Sequence, residues 1–336
     1  MKKKLIATLM ACVMTIGMGV TAFATDTEQH ALSFNKKYKI ENENTVNPEE
    51  TFLFQFSNGS IAMGEKTGVQ VPALSQVSTQ FSAGTATKDG LTKPIVLGLE
   101  SVTWPSVGIY TYDIAEVKGT TAGVTYDNNV YKMDVLVEFV NGQRKPVQVS
   151  FYKAGCPDEK MSEFANVYSA GCLAITKEVT GNMGDKTKDF AVQVTFNAPT
   201  SKVVKSTITY IDDGQSKSIA PTDWQNGSCT VTISLKNAET VTFNNLPYGV
   251  SYTVVENDYT ASGYDRAKYT ENNGTANDGK GTLNAASDSV KITNNKNIGI
   301  STGITVENIP FILILCAAVA GLIVFLNRKR IFSGLK

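Results

Sequence analysis

The chain carries an internal repeat, which constrains its fold more than any other feature of the sequence. An alternating apolar segment that ends in lysine occurs at residues 32–36 and again at residues 173–177. A segment with a tyrosine four residues before a glutamate occurs at residues 108–116 and again at residues 249–256. Because the order and spacing of these segments agree, the sequence predicts two homologous domains with a junction near residue 170.

The two copies repeat three polar residues as well as their strands. Each copy contains one lysine, one glutamate and, in its last apolar segment, one asparagine: Lys36, Glu116 and Asn166, then Lys177, Glu256 and Asn294. Any one of these residues alone would be read as an ordinary surface group, but their joint recurrence indicates a shared role. If the three converge inside a sandwich, burial favours a neutral lysine amine and a protonated glutamate. Attack of that amine on the asparagine amide, with the glutamate relaying protons, would release ammonia and leave a Lys–Asn isopeptide bond. No cofactor or metal is needed, and each domain reacts once, so the chain is not expected to be a turnover enzyme.

Local pattern predicts β-structure throughout the region between the termini. Several segments are rich in β-branched and aromatic residues: 51–56, 130–140, 147–151, 190–196, 230–235 and 252–255. Three short runs between them suit hairpin turns: Asn141-Gly142, Asp212-Asp213-Gly214 and Asn272-Asn273-Gly274. The Asn-Gly pairs that begin at Asn58, Asn226 and Asn273 are also read as turns. We therefore expect an all-β chain of two tandem antiparallel sandwiches, over residues 25–170 and 171–298.

Both ends of the chain carry processing signals. Residues 1–24 combine a lysine cluster, an apolar run and a small-x-small cleavage site, which predicts a secretory signal peptide. Near the other end, a polar run at residues 299–303 precedes an apolar stretch at 309–326 and a basic cluster at 328–330. This order predicts a transmembrane anchor within residues 304–336 with its tail in the cytoplasm, so the rest of the chain lies outside the cell.

Composition excludes several classes of function. Lysine plus arginine and aspartate plus glutamate both number 31, so the composition offers no basic footprint that would favour binding to nucleic acid. The single histidine, His30, leaves no nucleophile–histidine–acid set for a surface enzyme. Of the three cysteines outside the terminal signals, Cys156 and Cys172 flank the expected junction, so a disulfide and free thiols both remain open, whereas Cys229 has no obvious partner. The cysteine spacing matches no metal site.

The repeat and its surroundings resemble the streptococcal T-antigen-type major pilins, which are built from Ig-like, Cna protein B-type sandwiches. The closest segments are residues 173–190 and 245–259. The resemblance implies isopeptide bonds that join the first and last strands of each domain with the help of a glutamate. Carried onto this sequence, the bonds are Lys36 to Asn166 with Glu116, and Lys177 to Asn294 with Glu256, and Lys37 is a possible competitor of its neighbour.

The same resemblance implies covalent polymerisation. Ser301-Thr302-Gly303 is similar to the end of the sortase recognition pattern Leu-Pro-x-Thr-Gly, in which cleavage falls between Thr302 and Gly303. The acyl group of Thr302 would pass to a lysine of the next subunit, with Lys160 as the first choice and Lys153 as the alternative. Expected partners are identical subunits, sortase, minor pilins and peptidoglycan, with host surface ligands left open. The competing interpretation is a wall-anchored adhesin or minor pilin, which would lack a working acceptor lysine.

Overall fold

The computed structural model describes residues 32–43, 45–272, 274, 277–299 and 309–333. The predicted signal peptide and the predicted sortase residues, Thr302 and Gly303, lie outside the described residues. Within them, the expectation of an all-β chain in two domains is confirmed, and a single long helix follows near the C-terminus.

The first domain packs a four-stranded sheet, in the order β4-β1-β10-β6, against a six-stranded sheet, in the order β3-β2-β5-β7-β8-β9. A short 3₁₀ helix, Leu99–Ser101, lies between β4 and β5. The strands are β1 Ser33–Ile40, β2 Glu50–Gly64, β3 Val77–Phe81, β4 Leu91–Val96, β5 Gly108–Glu116, β6 Val124–Thr125, β7 Val130–Val140, β8 Gln143–Lys153, β9 Cys156–Met161 and β10 Glu163–Tyr168.

The second domain packs a six-stranded sheet, in the order β14-β13-β16-β11-β20-β18, against a four-stranded sheet, in the order β15-β12-β17-β19. Two further 3₁₀ helices span Pro221–Asp223 and Thr260–Ser262. The strands are β11 Ala170–Thr180, β12 Phe190–Asn197, β13 Ile208–Asp212, β14 Gln215–Ile219, β15 Ser228–Leu235, β16 Thr240–Pro247, β17 Ser251–Glu256, β18 Lys268–Glu271, β19 Lys280–Thr282 and β20 Ser287–Asn295.

In each domain the first strand lies parallel to the last strand and is hydrogen-bonded to it. β1 pairs with β10, and β11 pairs with β20. Side chains alternate between core and surface along β1, and along β11 from Leu173 onward, so every second residue enters the core. This alternation places one lysine of each first strand among the buried apolar residues.

Aromatic side chains form much of the first core. Phe34 on β1 makes edge-to-face contacts with Phe54 and Phe151 of the opposite sheet and with Phe164 of β10, at ring-centroid distances of 4.9 to 5.4 Å. Such contacts add to the free energy gained by removing the rings from water. The second core relies more on aliphatic residues, with Phe196 and Phe243 in contact at 5.1 Å.

The two domains contact each other directly through backbone and side chains. Val203 of the second domain forms a parallel β-bridge with Thr121, and the hydrogen bonds are 2.8 Å from Val203 N to Thr120 O and 2.9 Å from Ala122 N to Val203 O. Beside this bridge the buried Glu50 carboxylate accepts hydrogen bonds from Thr121 and Tyr126. Lys205 of the second domain lies 3.2 Å from the same carboxylate.

Two of the predicted turns are found, and one prediction is wrong. Asn141-Gly142 and Asp213-Gly214 have positive φ at both residues and close tight hairpins. Asn58 also has positive φ, but it lies inside β2, where the pairing with β5 shifts register between Ser57 and Ser60. There the pair forms a bulge that lets one long strand continue, instead of a turn that reverses the chain.

Near the C-terminus, helix α1 spans Ile309–Ser333. Its segment Ile309–Leu326 is long and apolar enough to cross a membrane by length and composition, and none of it is buried against the domains. This agrees with the predicted transmembrane anchor.

Candidate functional site

The structure brings together the first predicted trio inside the first domain. In the β1–β10 pair, Lys36 lies opposite Phe164 and Asn166 lies opposite Tyr38, so both polar side chains enter the core from one sheet. Glu116 is the last residue of β5 in the facing sheet and points at them across the sandwich.

The three side chains of the first trio are within bonding distance of one another. Lys36 Nζ lies 2.6 Å from Glu116 Oε2 and 2.7 Å from Asn166 Oδ1. Asn166 Nδ2 donates to the other carboxyl oxygen of Glu116. Lys36 is fully buried, and its Nζ sits 4.4 Å from the ring centre of Phe52, so it has no contact with water.

The second trio repeats this arrangement in the second domain. Lys177 pairs with Ile292 and Asn294 pairs with Val179, so the asparagine again lies opposite the residue two positions after the lysine. Lys177 Nζ lies 2.6 Å from Asn294 Oδ1 and 3.1 Å from Glu256 Oε1.

The carboxyl group distinguishes the two trios. In the first domain both oxygens of Glu116 are hydrogen-bonded to the other two members. In the second domain Glu256 lies close to Lys177, but neither of its oxygens makes a well-oriented hydrogen bond. Lys177 instead makes longer contacts of 3.4 Å with the carbonyl oxygens of Glu178 and Ile292. The second trio is therefore assembled at the same place with a longer lysine–carboxyl distance, 3.1 Å instead of 2.6 Å.

Burial moves the pKa values of the lysines and the glutamates toward each other. Loss of water lowers the pKa of Lys36 and of Lys177, and the neighbouring carboxylate only partly opposes this. Burial raises the pKa of Glu116 and of Glu256, against the effect of the neighbouring amine. In each site these shifts favour a neutral amine beside a neutral acid, the protonation state that a lysine nucleophile requires.

One ring at each site was not predicted from the sequence. Phe52 in the first domain and Phe190 in the second each lie 4.4 Å from the lysine nitrogen, measured to the ring centre. Phe52 lies two residues before Phe54, which pairs with Glu116. Phe190 lies two residues before Val192, which pairs with Glu256, so the two rings occupy equivalent positions. A signal was present, since both belong to apolar strands that follow the lysine strand in the two copies of the repeat.

Both domains of the chain match known protein families. Residues 32–169 match the family described as Spy0128-like isopeptide containing domain, and residues 171–296 match a domain of unknown function, DUF7601. Over 94% of its length the chain is 26% identical to a pilin of Streptococcus pyogenes serotype M1, of which it covers 97%. The chain is thus similar to a streptococcal pilin over nearly its whole length.

Solved structures show the same fold. The major pilin of Streptococcus pyogenes matches with a TM-score of 0.55 and 22% identity, over 80% of this chain and 98% of that one. The T3.2 major pilin from serotype GAS13637 also gives a TM-score of 0.55, at 21% identity, over 79% of this chain and 98% of that one. Both matches extend over nearly the whole length of the compared pilin structures.

The lysines considered outside the trios lie on the surface. Lys37 points away from the core, 3.9 Å from Glu163, so its amine lies on the opposite face of β1 from Asn166. Lys160 is exposed on the edge strand β9, with its Nζ 4.5 Å from the centre of the Tyr152 ring. Lys153 is exposed at the end of β8. Both candidate acceptors are accessible, and Lys160 lies a few residues before β10.

The cysteines of the two domains are free thiols. Cys156 and Cys172, whose pairing the sequence left open, form no disulfide, and Cys172 instead lies 3.6 Å from the carbonyl oxygen of Ala286. Burial raises the pKa of the Cys172 and Cys229 thiols. They therefore remain protonated and weakly reactive at neutral pH.

Proposed function

We propose that this chain is the backbone subunit of a covalently polymerised cell-surface pilus, in which each domain forms its own Lys–Asn isopeptide bond. The observation that carries the proposal is the occurrence of the same buried trio twice, in the same register between the first and last strands. Chance placement of polar residues would not reproduce, in both domains, the same strand register and the same glutamate in the facing sheet. The pilin homologue and the isopeptide-containing domain family support the assignment.

The reaction requires only the three side chains of each site. The neutral amine of Lys36 attacks the side-chain amide carbon of Asn166, and the C–N bond to the amide nitrogen breaks. Glu116 polarises the amide through its proton, accepts a proton from the attacking amine and returns one to the departing nitrogen. One ammonia leaves, one amide bond replaces another, and the glutamate ends as it began. Lys177, Asn294 and Glu256 follow the same course in the second domain.

Intact mass tests both bonds at once. We expect a reduced recombinant fragment of residues 25–302 to weigh two ammonia masses less than its sequence. Glu116→Gln and Glu256→Gln should each restore one ammonia mass, because glutamine keeps the shape of the side chain but cannot exchange the proton. An undiminished mass for the unsubstituted fragment would contradict the proposal.

Polymerisation is the second part of the proposal. A sortase would cleave between Thr302 and Gly303 and transfer the threonyl group to Lys160 of another subunit, and Lys153 is the alternative acceptor. The exposure of both lysines, and the position of Lys160 just before β10, are compatible with this step. Sortase-catalysed joining of a fragment of residues 25–308, which keeps the Thr302–Gly303 bond, should be lost in Lys160→Ala and kept in Lys153→Ala. The reverse result would reassign the acceptor, and unchanged joining in the double variant would refute both.

The cellular setting follows from the same scheme. The signal peptide would direct secretion, and helix α1 would hold the subunit in the membrane until the sortase acts. Finished fibres would contain identical subunits and minor pilins, and would be attached to peptidoglycan. A chain that cannot accept another subunit would instead be a terminal adhesin or minor pilin, so the lysine variants also distinguish these classes.

A further inference from the structure

The segment that leaves the second domain is held against that domain by a set of hydrogen bonds outside the β-sheet. β11 and β20 are parallel, so their C-terminal ends meet at the same pole. The loop after β11 and the tail after β20 run side by side there. We call residues 181–183 and 296–298 the tail clasp.

Asn182 is the centre of the tail clasp. Its side-chain Nδ2 donates to the carbonyl oxygen of Ile298 at 2.9 Å, and its Oδ1 accepts from the backbone nitrogen of Ile298 at 2.9 Å. One asparagine amide thus satisfies both polar groups of one backbone residue. The backbone nitrogen of Asn182 donates in turn to Asn297 Oδ1 at 2.9 Å.

Backbone contacts continue the tail clasp toward the sheet. Met183 N donates to Lys296 O, and Lys296 N donates to Thr180 O, both at 3.0 Å. Gly181 has a φ of 90°, and a Cβ at this position would lie 2.2 Å from Lys296 O. The loop therefore needs a glycine to approach the tail this closely.

The tail clasp ends at Ile298, immediately before residues 299–303, which contain the predicted sortase recognition motif. If Thr302 is the joined residue, only residues 299–302 lie between the clasp and the next subunit. Four extended residues span at most about 14 Å, whereas release back to Lys296 would leave six residues and about 20 Å. A shorter link confines its two ends more strongly, and the side-by-side hydrogen bonds also fix the direction in which the link leaves the domain.

We propose that Asn182 is a positioning residue for subunit joining, which fixes the tail at Ile298 so that a second copy of this chain is held close to the pole of the second domain. This inference rests on the proposed function, because it takes Thr302 as the joined residue. Among the described residues, the side chain of Asn182 hydrogen-bonds Ile298 and no member of either trio. Its effect is to shorten and direct the connection between subunits.

The first test does not depend on joining. In the ectodomain of residues 25–302, Asn182→Ala should raise the hydrogen-exchange rate of the Ile298 amide by about tenfold, as expected for loss of one hydrogen bond. Asn182→Asp keeps the acceptor but not the donor, and should have a smaller effect. Asn244→Ala is the matched control, since the exposed side chain of this asparagine donates one long hydrogen bond, to Thr242 O of its own strand. An unchanged Ile298 exchange rate in Asn182→Ala would overturn the inference.

The second test measures the joined product. Fibres assembled by sortase from Asn182→Ala subunits should have a shorter persistence length in electron micrographs than fibres of unsubstituted or Asn244→Ala subunits. Retention of both ammonia losses would show that the variant domains are correctly folded. Fibres of equal stiffness would overturn the inference and leave the proposed function intact. Failure of the unsubstituted subunit to join would instead contradict the proposed function.

Discussion

Replacing Glu116 by glutamine should remove the first isopeptide bond and lower the stability of the first domain alone. Glutamine nearly matches glutamate in volume and can still hydrogen-bond Lys36 and Asn166, so packing should be little disturbed. It cannot act as an acid or a base, so the amine and the amide should remain separate. The variant therefore isolates the covalent bond better than a truncation to alanine would.

The size of the effect follows from the length of the chain that the bond closes. Lys36 and Asn166 are 130 residues apart. By the chain-entropy treatment of crosslinks, a loop of this length restricts the unfolded state by about 5 kcal/mol at 25 °C. Unfolding entropy for a domain of residues 32–169 is roughly 0.3 kcal/mol/K, so the expected fall in Tm is about 15 to 20 °C.

Differential scanning calorimetry of the ectodomain provides the measurement, and the second domain provides the control. Glu116→Gln should shift one transition, and Glu256→Gln should shift the other by a similar amount, because Lys177 and Asn294 are 117 residues apart. Intact mass must first show that the bond is missing. A variant that lacks the bond but loses only a few degrees would refute the reasoning that the crosslink is a major source of stability.

Three further outcomes are expected. Glu50→Ala should destabilise the ectodomain by about 2 to 5 kcal/mol in urea unfolding, because Thr121 and Tyr126 would lose a buried acceptor; a loss below 1 kcal/mol would contradict this. When unreacted chain is refolded from inclusion bodies, the rate of ammonia loss should fall at low pH, because the lysine amine is protonated, and at high pH, because the carboxyl group ionises. Mass spectrometry at a series of pH values measures this rate, and a rate that only rises or only falls with pH would contradict the prediction. Single molecules pulled through both termini should show no domain unfolding, whereas Glu116→Gln should release about 440 Å and Glu256→Gln about 400 Å of chain.

The trios could be predicted because their information is local and repeated. In an alternating strand, the position of Lys36 relative to its apolar neighbours already decides that it enters the core. The recurrence of Lys177 in the same setting then suggested that burial of a lysine was not accidental. The sequence could not show that the glutamate of the facing sheet reaches both partners, since that depends on the distance between sheets.

Other features depended on long-range contacts that leave no local pattern. Asn58-Gly59 has the composition of a hairpin turn, and only its pairing with β5 shows that the strand continues through a bulge. The carboxylate of Glu50 accepts a hydrogen bond from Lys205, which lies 155 residues away in the other domain. Asn182 likewise contacts Ile298 across 116 residues. Such contacts are set by topology, and a single polar residue in a loop does not reveal them.

The placement of the two trios explains why a sandwich with these bonds would resist tension. In a subunit pulled through its two termini, each bond would carry the load from the first strand to the last, so the chain between Lys36 and Asn166, and between Lys177 and Asn294, would lie outside the loaded covalent path. Between the two bonds the path follows β10 and β11, which are separated by one residue, Ser169. Both strands are held in the middle of their sheets by neighbours on each side. Extension of such a subunit would then be confined to its terminal segments, and on the C-terminal side the tail clasp leaves only the few residues before the joint free to stretch.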